Sequence, residues 1–117
     1  MKNVEVAERF VNRSVGKTKN LFVEFDERGV YYLYSYGKHF PVGIKLIDGT
    51  LLVNNDGWSK TTAIHKGHLC RALGFENFKD LVRNRDTERI LLKDTEALKQ
   101  IFRLGIKSKA EILEQEI

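Results

Sequence analysis

Cysteine, proline, tryptophan and methionine each occur once in this 117-residue chain, and histidine only three times. A lone cysteine, Cys70, cannot close an internal disulfide, which agrees with a reducing compartment. No C-x-x-C or H-E-x-x-H spacing occurs, so the common zinc frameworks are missing, and neither a metal nor another cofactor is expected. Acidic clusters typical of two-metal nucleases are absent too, because Asp48 and Asp56 read first as turn residues. No apolar run approaches the roughly 20 residues of a membrane span, so no membrane partner is expected. The start, M-K-N-V-E-V-A-E-R-F, lacks the apolar core of a secretory signal, which makes the cytoplasm the default location.

What is present is an ordinary globular composition, 42% hydrophobic and 31% charged, at a length that suits one domain over residues 1–117. The net charge of +4 is unevenly placed: residues 1–75 carry 11 Lys/Arg against 7 Asp/Glu, whereas residues 76–117 carry 9 of each. Arg9, Arg13, Lys17 and Lys19 follow one another with no acid between them. Such a surplus fits either a face turned toward phosphates or a mildly basic solvated surface.

Apolar spacing over Val4, Ala7, Phe10 and Val11 predicts a first helix, with Asn3 as its N-cap. The fragment G-K-T at Gly16–Thr18 lacks the upstream glycine and preceding strand of a phosphate loop. Four strands are predicted next: Leu21–Phe25, Val30–Tyr36, Phe40–Ile47 and Thr50–Asn54. Leu21, Val23 and Phe25 alternate with Phe22 and Glu24, and Asp48-Gly49 is a strong hairpin signal. Short connections favour a four-stranded antiparallel meander over residues 20–54. Residues 62–116 read as the helical part. Ser59, Thr61 and Thr62 are N-cap candidates for a helix from about Ala63 to Leu73, closed by Gly74. A second short helix spans Phe75 to Val82. Ile90–Leu92 reads as a strand or a link. Asp94 caps a helix with Leu98, Ile101 and Phe102, and Ser108 with Glu111 forms a capping box. The class is α+β: an N-terminal helix, the meander, and C-terminal helices packed on the sheet.

Unusual polar chemistry concentrates between Ser35 and Leu73, at strand ends and a helix start, where a rigid scaffold usually presents functional groups. His39 follows a glycine turn. His65 falls early in the helix that the hydroxyl cluster caps, where free N–H groups and the helix dipole suit an anion. Ser59, Thr61 and Thr62 offer hydroxyls there, and Lys60 and Lys66 offer charge. Capping alone accounts for those hydroxyls equally well. Tyr32, Tyr34 and Tyr36 share one strand face, which with Lys38 and Lys45 suits base stacking. Alternatively that face supports helices, with the tyrosine hydroxyls at its rim. Trp58 reads as a lid over the helix start or as a loop contact. The glycine bend after the tyrosine strand and the Ser/Thr/His cluster are expected to converge into one solvent-reachable site.

The string Y-S-Y-G-K-H-F-P at Tyr34–Pro41, then N-x-D at Asn54–Asp56, S-K-T-T-A-I-H at Ser59–His65 and A-L at Ala72–Leu73, resembles a small domain of unknown function. That domain is associated with phage, archaeal-virus and plasmid-borne proteins. The resemblance spans Tyr34 to Leu73 and leaves out the helical tail. It implies a mobile-element origin, with a host-cytoplasm location if viral, and no particular mechanism. It marks Ser35, His39, Asn54, Ser59, Thr61, Thr62 and His65.

These readings favour a non-enzymatic nucleic-acid- or phosphate-binding accessory protein. Ser35, Tyr36, Lys38, Asn54, Trp58, Ser59, Lys60, Thr61, Thr62 and Lys66 are its candidate binding residues. One rival is a metal-free nuclease using His39 and His65 as base and acid, with a lysine on the phosphate. Another is a protein-binding inhibitor of host defence. The partner is thus nucleic acid or protein, and the oligomeric state stays open.

Overall fold

Leu51, Leu52 and Val53 follow one another without a polar residue, the pattern of a strand covered on both faces. A computed structural model, describing residues 1–38, 40–57 and 59–117, shows that cover. Because strand side chains alternate, Leu51 and Val53 enter one hydrophobic core and Leu52 enters another across the sheet.

The elements run α1 (Asn3–Val11), β1 (Leu21–Phe25), β2 (Tyr31–Ser35), β3 (Pro41–Lys45), β4 (Leu51–Asn54), α2 (Lys60–Ala72), α3 (Phe78–Asn84), β5 (Ile90–Lys93), α4 (Thr95–Arg103) and α5 (Lys109–Gln115). They form an α+β fold around one sheet of order β1-β2-β3-β4-β5. The first three pairings are antiparallel, as the short turns require. Contrary to the four-stranded expectation, Ile90–Lys93 adds a fifth strand, parallel to β4, with Leu51 opposite Ile90 and Asn54 opposite Lys93. A parallel neighbour needs a long crossover, and residues 55–89 supply it through α2 and α3.

The crossover divides the helices. Val6 and Phe10 of α1, Leu69 and Cys70 of α2, and Leu81 of α3 pack on the face of Leu21, Leu33 and Val53. Leu98 and Ile101 of α4 and Ile112 of α5 pack on the face of Tyr32, Ile44 and Leu52. The C-terminal helices therefore lie on both sides of the sheet. Phe25 departs from the alternation: it is 58% exposed at the end of β1 and stacks on Tyr31 with ring centroids 5.4 Å apart.

Helix starts follow the side chains available. The Ser59 hydroxyl accepts the Thr62 N–H at 3.1 Å, so α2 opens at Lys60, three residues before Ala63. Asp94 caps α4 in the same way through the Ala97 N–H. In the predicted capping box, Ser108 accepts from the Glu111 N–H, but the Glu111 carboxylate takes the Lys107 N–H, one residue before the reciprocal position. Asn3 does not cap α1. The N-cap is Lys2, without a side-chain bond.

One glycine is required by packing. A Cβ on Gly43 would stand 2.9 Å from Leu69 Cδ2 and 3.3 Å from both the Leu52 carbonyl and the Phe10 ring. Two of those neighbours are backbone or a buried ring that cannot step aside, so overpacking results. Gly43→Ala is expected to lower the unfolding free energy by about 1–3 kcal/mol in urea titration. An unchanged midpoint would show that α1 and α2 do not press on β3 as described.

Candidate functional site

The end of β2 and the start of α2 do converge, as the sequence suggested, but around a closed network. Ser35 Oγ lies 2.6 Å from His65 Nδ1 and 3.2 Å from Thr62 Oγ1. On the other edge of the imidazole, Asn3 Nδ2 stands 3.3 Å from His65 Nε2. The expectation of a solvent-reachable cluster is corrected here: Ser35, Thr62 and His65 are all buried, with His65 only 1% exposed. Their covering comes from α1, whose Asn3 is drawn inward instead of capping its own helix.

The partners assign the protons. Thr18 Oγ1 accepts the N–H groups of Asn20 and Leu21, so its own proton goes to Asn3 Oδ1. The Asn3 amide then donates to His65 Nε2, which leaves the ring proton on Nδ1, directed at Ser35. The Ser35 and Thr62 hydroxyls share a further hydrogen bond, and Thr62 also accepts from Ser59. An imidazole that donates to a serine hydroxyl cannot take that serine's proton, which is opposite to nucleophile activation. Burial, then the nearby His68, holds the His65 imidazole below its ordinary value and therefore neutral. With both nitrogens committed, His65 offers nothing to a phosphate, which removes it from the expected acid–base pair. His39 and Trp58 lie outside the described residues.

Asn54 and Asp56 also act as joints. The buried Asn54 amide donates to the Pro41 carbonyl at 2.7 Å and to Thr95 Oγ1 at 3.0 Å, while its Oδ1 accepts the Asp56 N–H. The Asp56 carboxylate takes the Thr95 N–H at 2.8 Å, and that bond holds its pKa down. The N-x-D element thus fastens the end of β4 to the first turn of α4. Lys66 turns away from the helix start, donating to the carbonyls of Asn54 and Asp56 with its ammonium 3.9 Å from the Phe78 ring centroid. Its charge is spent inside the fold. Arg13 and Lys45, likewise, donate to the backbone carbonyls of Leu46 and Val11. Ser59 stays a cap, and only Lys60 and Thr61 remain at the accessible start of α2. Among the described residues no group of three or more His, Cys, Asp or Glu could hold a metal ion, and no helix is long and apolar enough to cross a membrane.

The tyrosine face is the second correction. Tyr36 leaves the strand at φ +67°, exposed, with its ring 5.7 Å from that of His65, so it does not extend the Tyr32–Tyr34 row. Tyr32 and Tyr34 stack nearly parallel, centroids 5.9 Å apart, and are buried. Tyr32 meets Phe102 of α4 edge-on, and what remains accessible of the two rings lies along a cleft of about 390 Å³. Its floor includes Glu24, Tyr34 and Ile44, and its α4 wall includes Lys99, Phe102 and Arg103.

Several details define this cleft. Asp26 accepts the Tyr32 hydroxyl at 2.6 Å and pairs with Arg28, whose guanidinium also reaches the Ile106 carbonyl. Burial alone would raise the Asp26 pKa, but the bonds from Tyr32 and Arg28 outweigh it and hold it down. Tyr34 is 7% exposed, and its hydroxyl has no hydrogen-bond partner among the described residues. Burial, then the charges of Glu24 and Asp26, pushes its pKa up to about 12, so it remains a donor. Lys38 pairs with Glu24 at 3.0 Å on the rim. Of the described candidate binding residues only Lys38 lines this cleft, together with Tyr32 and Tyr34 of the strand face read as suited to base stacking. Glu24, Lys99, Phe102 and Arg103 were not singled out, although Lys99 and Arg103 stand at i, i+4 beside the apolar stripe of their helix.

No family model, no curated protein and no solved structure matches the chain.

Two outcomes follow from the buried network. Ser35→Ala strands the His65 N–H and is expected to cost about 1–3 kcal/mol in denaturant titration; no loss would mean that the bond is not formed. An unfolded histidine binds a proton near pH 6.5, whereas folded His65 resists it to lower pH. Its contribution is complete above about 6.5 and declines as the pH falls below that, by at most about 1.4 kcal/mol per unit. Between pH 7 and 5 the parent should lose more stability than His65→Gln, and equal slopes would exclude this linkage.

Proposed function

We propose that the protein is a non-enzymatic accessory module that binds single-stranded nucleic acid along the cleft between the sheet and α4. The observation that carries this reading is the rim of the cleft. Lys99 and Arg103 stand one helical turn apart, Lys38 lies on the β2 side, and Arg103 has no acidic partner among the described residues. One exposed aromatic ring, Phe102 at 59% exposure, flanks the cleft, whereas the Phe25 ring stacks on Tyr31 toward the opposite face of the sheet. Cations that follow a phosphate backbone beside rings that stack on bases are the two elements a sequence-tolerant single-strand binder needs. Carboxylates stand beside the other cations: Lys38 pairs with Glu24, Lys99 with Glu96 at 3.7 Å and Arg28 with Asp26, so Arg103 is the rim cation most open to a phosphate.

The buried Ser35–His65–Asn3 network argues against cleavage as the activity, since its imidazole is neutral, inward and already bonded. It serves the module by holding α1, β2 and α2 together on the face opposite the cleft.

Fluorescence anisotropy with a labelled single-stranded oligonucleotide tests the proposal. Binding should weaken at least about tenfold between 50 and 200 mM salt, as neutralised phosphates take back their counterions. The double substitution Lys99→Glu with Arg103→Glu should cost at least about tenfold more while the circular dichroism spectrum is unchanged. Binding indifferent to salt and to both reversals would sink the reading, and retention of a protein partner under those conditions would favour the host-defence inhibitor instead.

A further inference from the structure

We infer that the cleft reads one base of the bound strand and favours a base that carries an exocyclic amino group, cytosine over thymine. The inference rests on the nucleic-acid reading above and adds recognition to it. Its starting point is the Tyr34 hydroxyl. Tyr34 as a whole is only 7% exposed, but its hydroxyl bonds to nothing among the described residues and keeps contact with solvent at the cleft, since no buried side-chain polar atom there lacks a partner. It offers one donor. Glu24 lines the same cleft and lies close enough to act on the charge state of Tyr34. Its pairing with Lys38 uses one of several lone-pair positions, which leaves acceptor capacity on the carboxylate.

A donor and an acceptor lining the same cleft suit the edge of a nucleobase. Cytosine presents an amino donor at N4 beside the N3 acceptor, and acidic side chains accept well from that amino group. Thymine puts a carbonyl oxygen where the amino group would be, so it turns a lone pair toward the Glu24 carboxylate. The Phe102 ring supplies a stacking surface on the α4 side, set edge-on to Tyr32 with centroids 5.8 Å apart. The cleft volume of about 390 Å³ accommodates a single base with its sugar. The selective edge therefore lies on the sheet, while the cations of α4 hold the backbone without regard to sequence.

The test compares oligo-dC with oligo-dT of equal length by anisotropy, for the parent, Tyr34→Phe and Glu24→Gln. Tyr34→Phe removes a hydroxyl that bonds to nothing in the described fold, so folding should survive. The expected result is oligo-dC binding at least about tenfold tighter than oligo-dT. Either substitution should shrink that ratio toward one, mainly by weakening oligo-dC. Equal affinity of the parent for both strands, with salt-sensitive binding intact, overturns base reading and leaves the nucleic-acid reading standing. A dC preference that survives both substitutions also overturns it. Absence of binding to either strand overturns both.

Discussion

Burial of β4 on both faces is the constraint from which the rest of the architecture follows. Leu51 and Val53 point into one core and Leu52 into the other, so each side of the sheet must be covered by helix. The crossover through α2 and α3 fills the first side and returns the chain to β5, parallel to β4. From β5 the chain continues to the second side, where α4 rests on β3 and β4. That helix does not extend over the whole second face. The part nearest β1 and β2 stays open beside it, and the open part is the cleft.

Two polar clusters have opposite fates under this arrangement. Ser35, Thr62 and His65 fall under α1, where every buried polar atom must find a partner or be strongly penalised. They do find one, through Asn3 and Thr18, and no buried side-chain polar atom among the described residues is left unsatisfied. The result is a rigid joint between α1, β2 and α2. Glu24 and Tyr34 belong to the opposite face, where they line the cleft beside α4. A pair of ordinary residues thereby becomes the more accessible chemistry, while the histidine-rich segment becomes scaffold.

The local elements were largely legible. Cap residues Ser59, Asp94 and Ser108 mark three helix starts because a side-chain oxygen next to an apolar repeat has few other uses. Gly74 and Gly105 mark two helix ends, each with positive φ. The hairpin at Asp48-Gly49 and the four consecutive strands followed from turn chemistry and short loops. Ile90–Lys93 resisted assignment because four half-buried residues carry no mark of the strand they will pair with, 39 positions earlier. Asn3 misled for a related reason: a cap and an inward hydrogen-bond donor use the same side chain, and only the neighbour decides between them.

The sequence by itself determined the class of fold, the strand and helix inventory up to one short edge strand, and the meeting of Ser35 with the start of α2. Those outcomes rest on periodicity, turn residues and loop length, all of which act over a few positions. Tertiary structure alone decided which polar residues are shut away and which face water. That choice depends on where α1 and α4 settle on the two faces of the sheet, and burial is set by neighbours far apart along the chain.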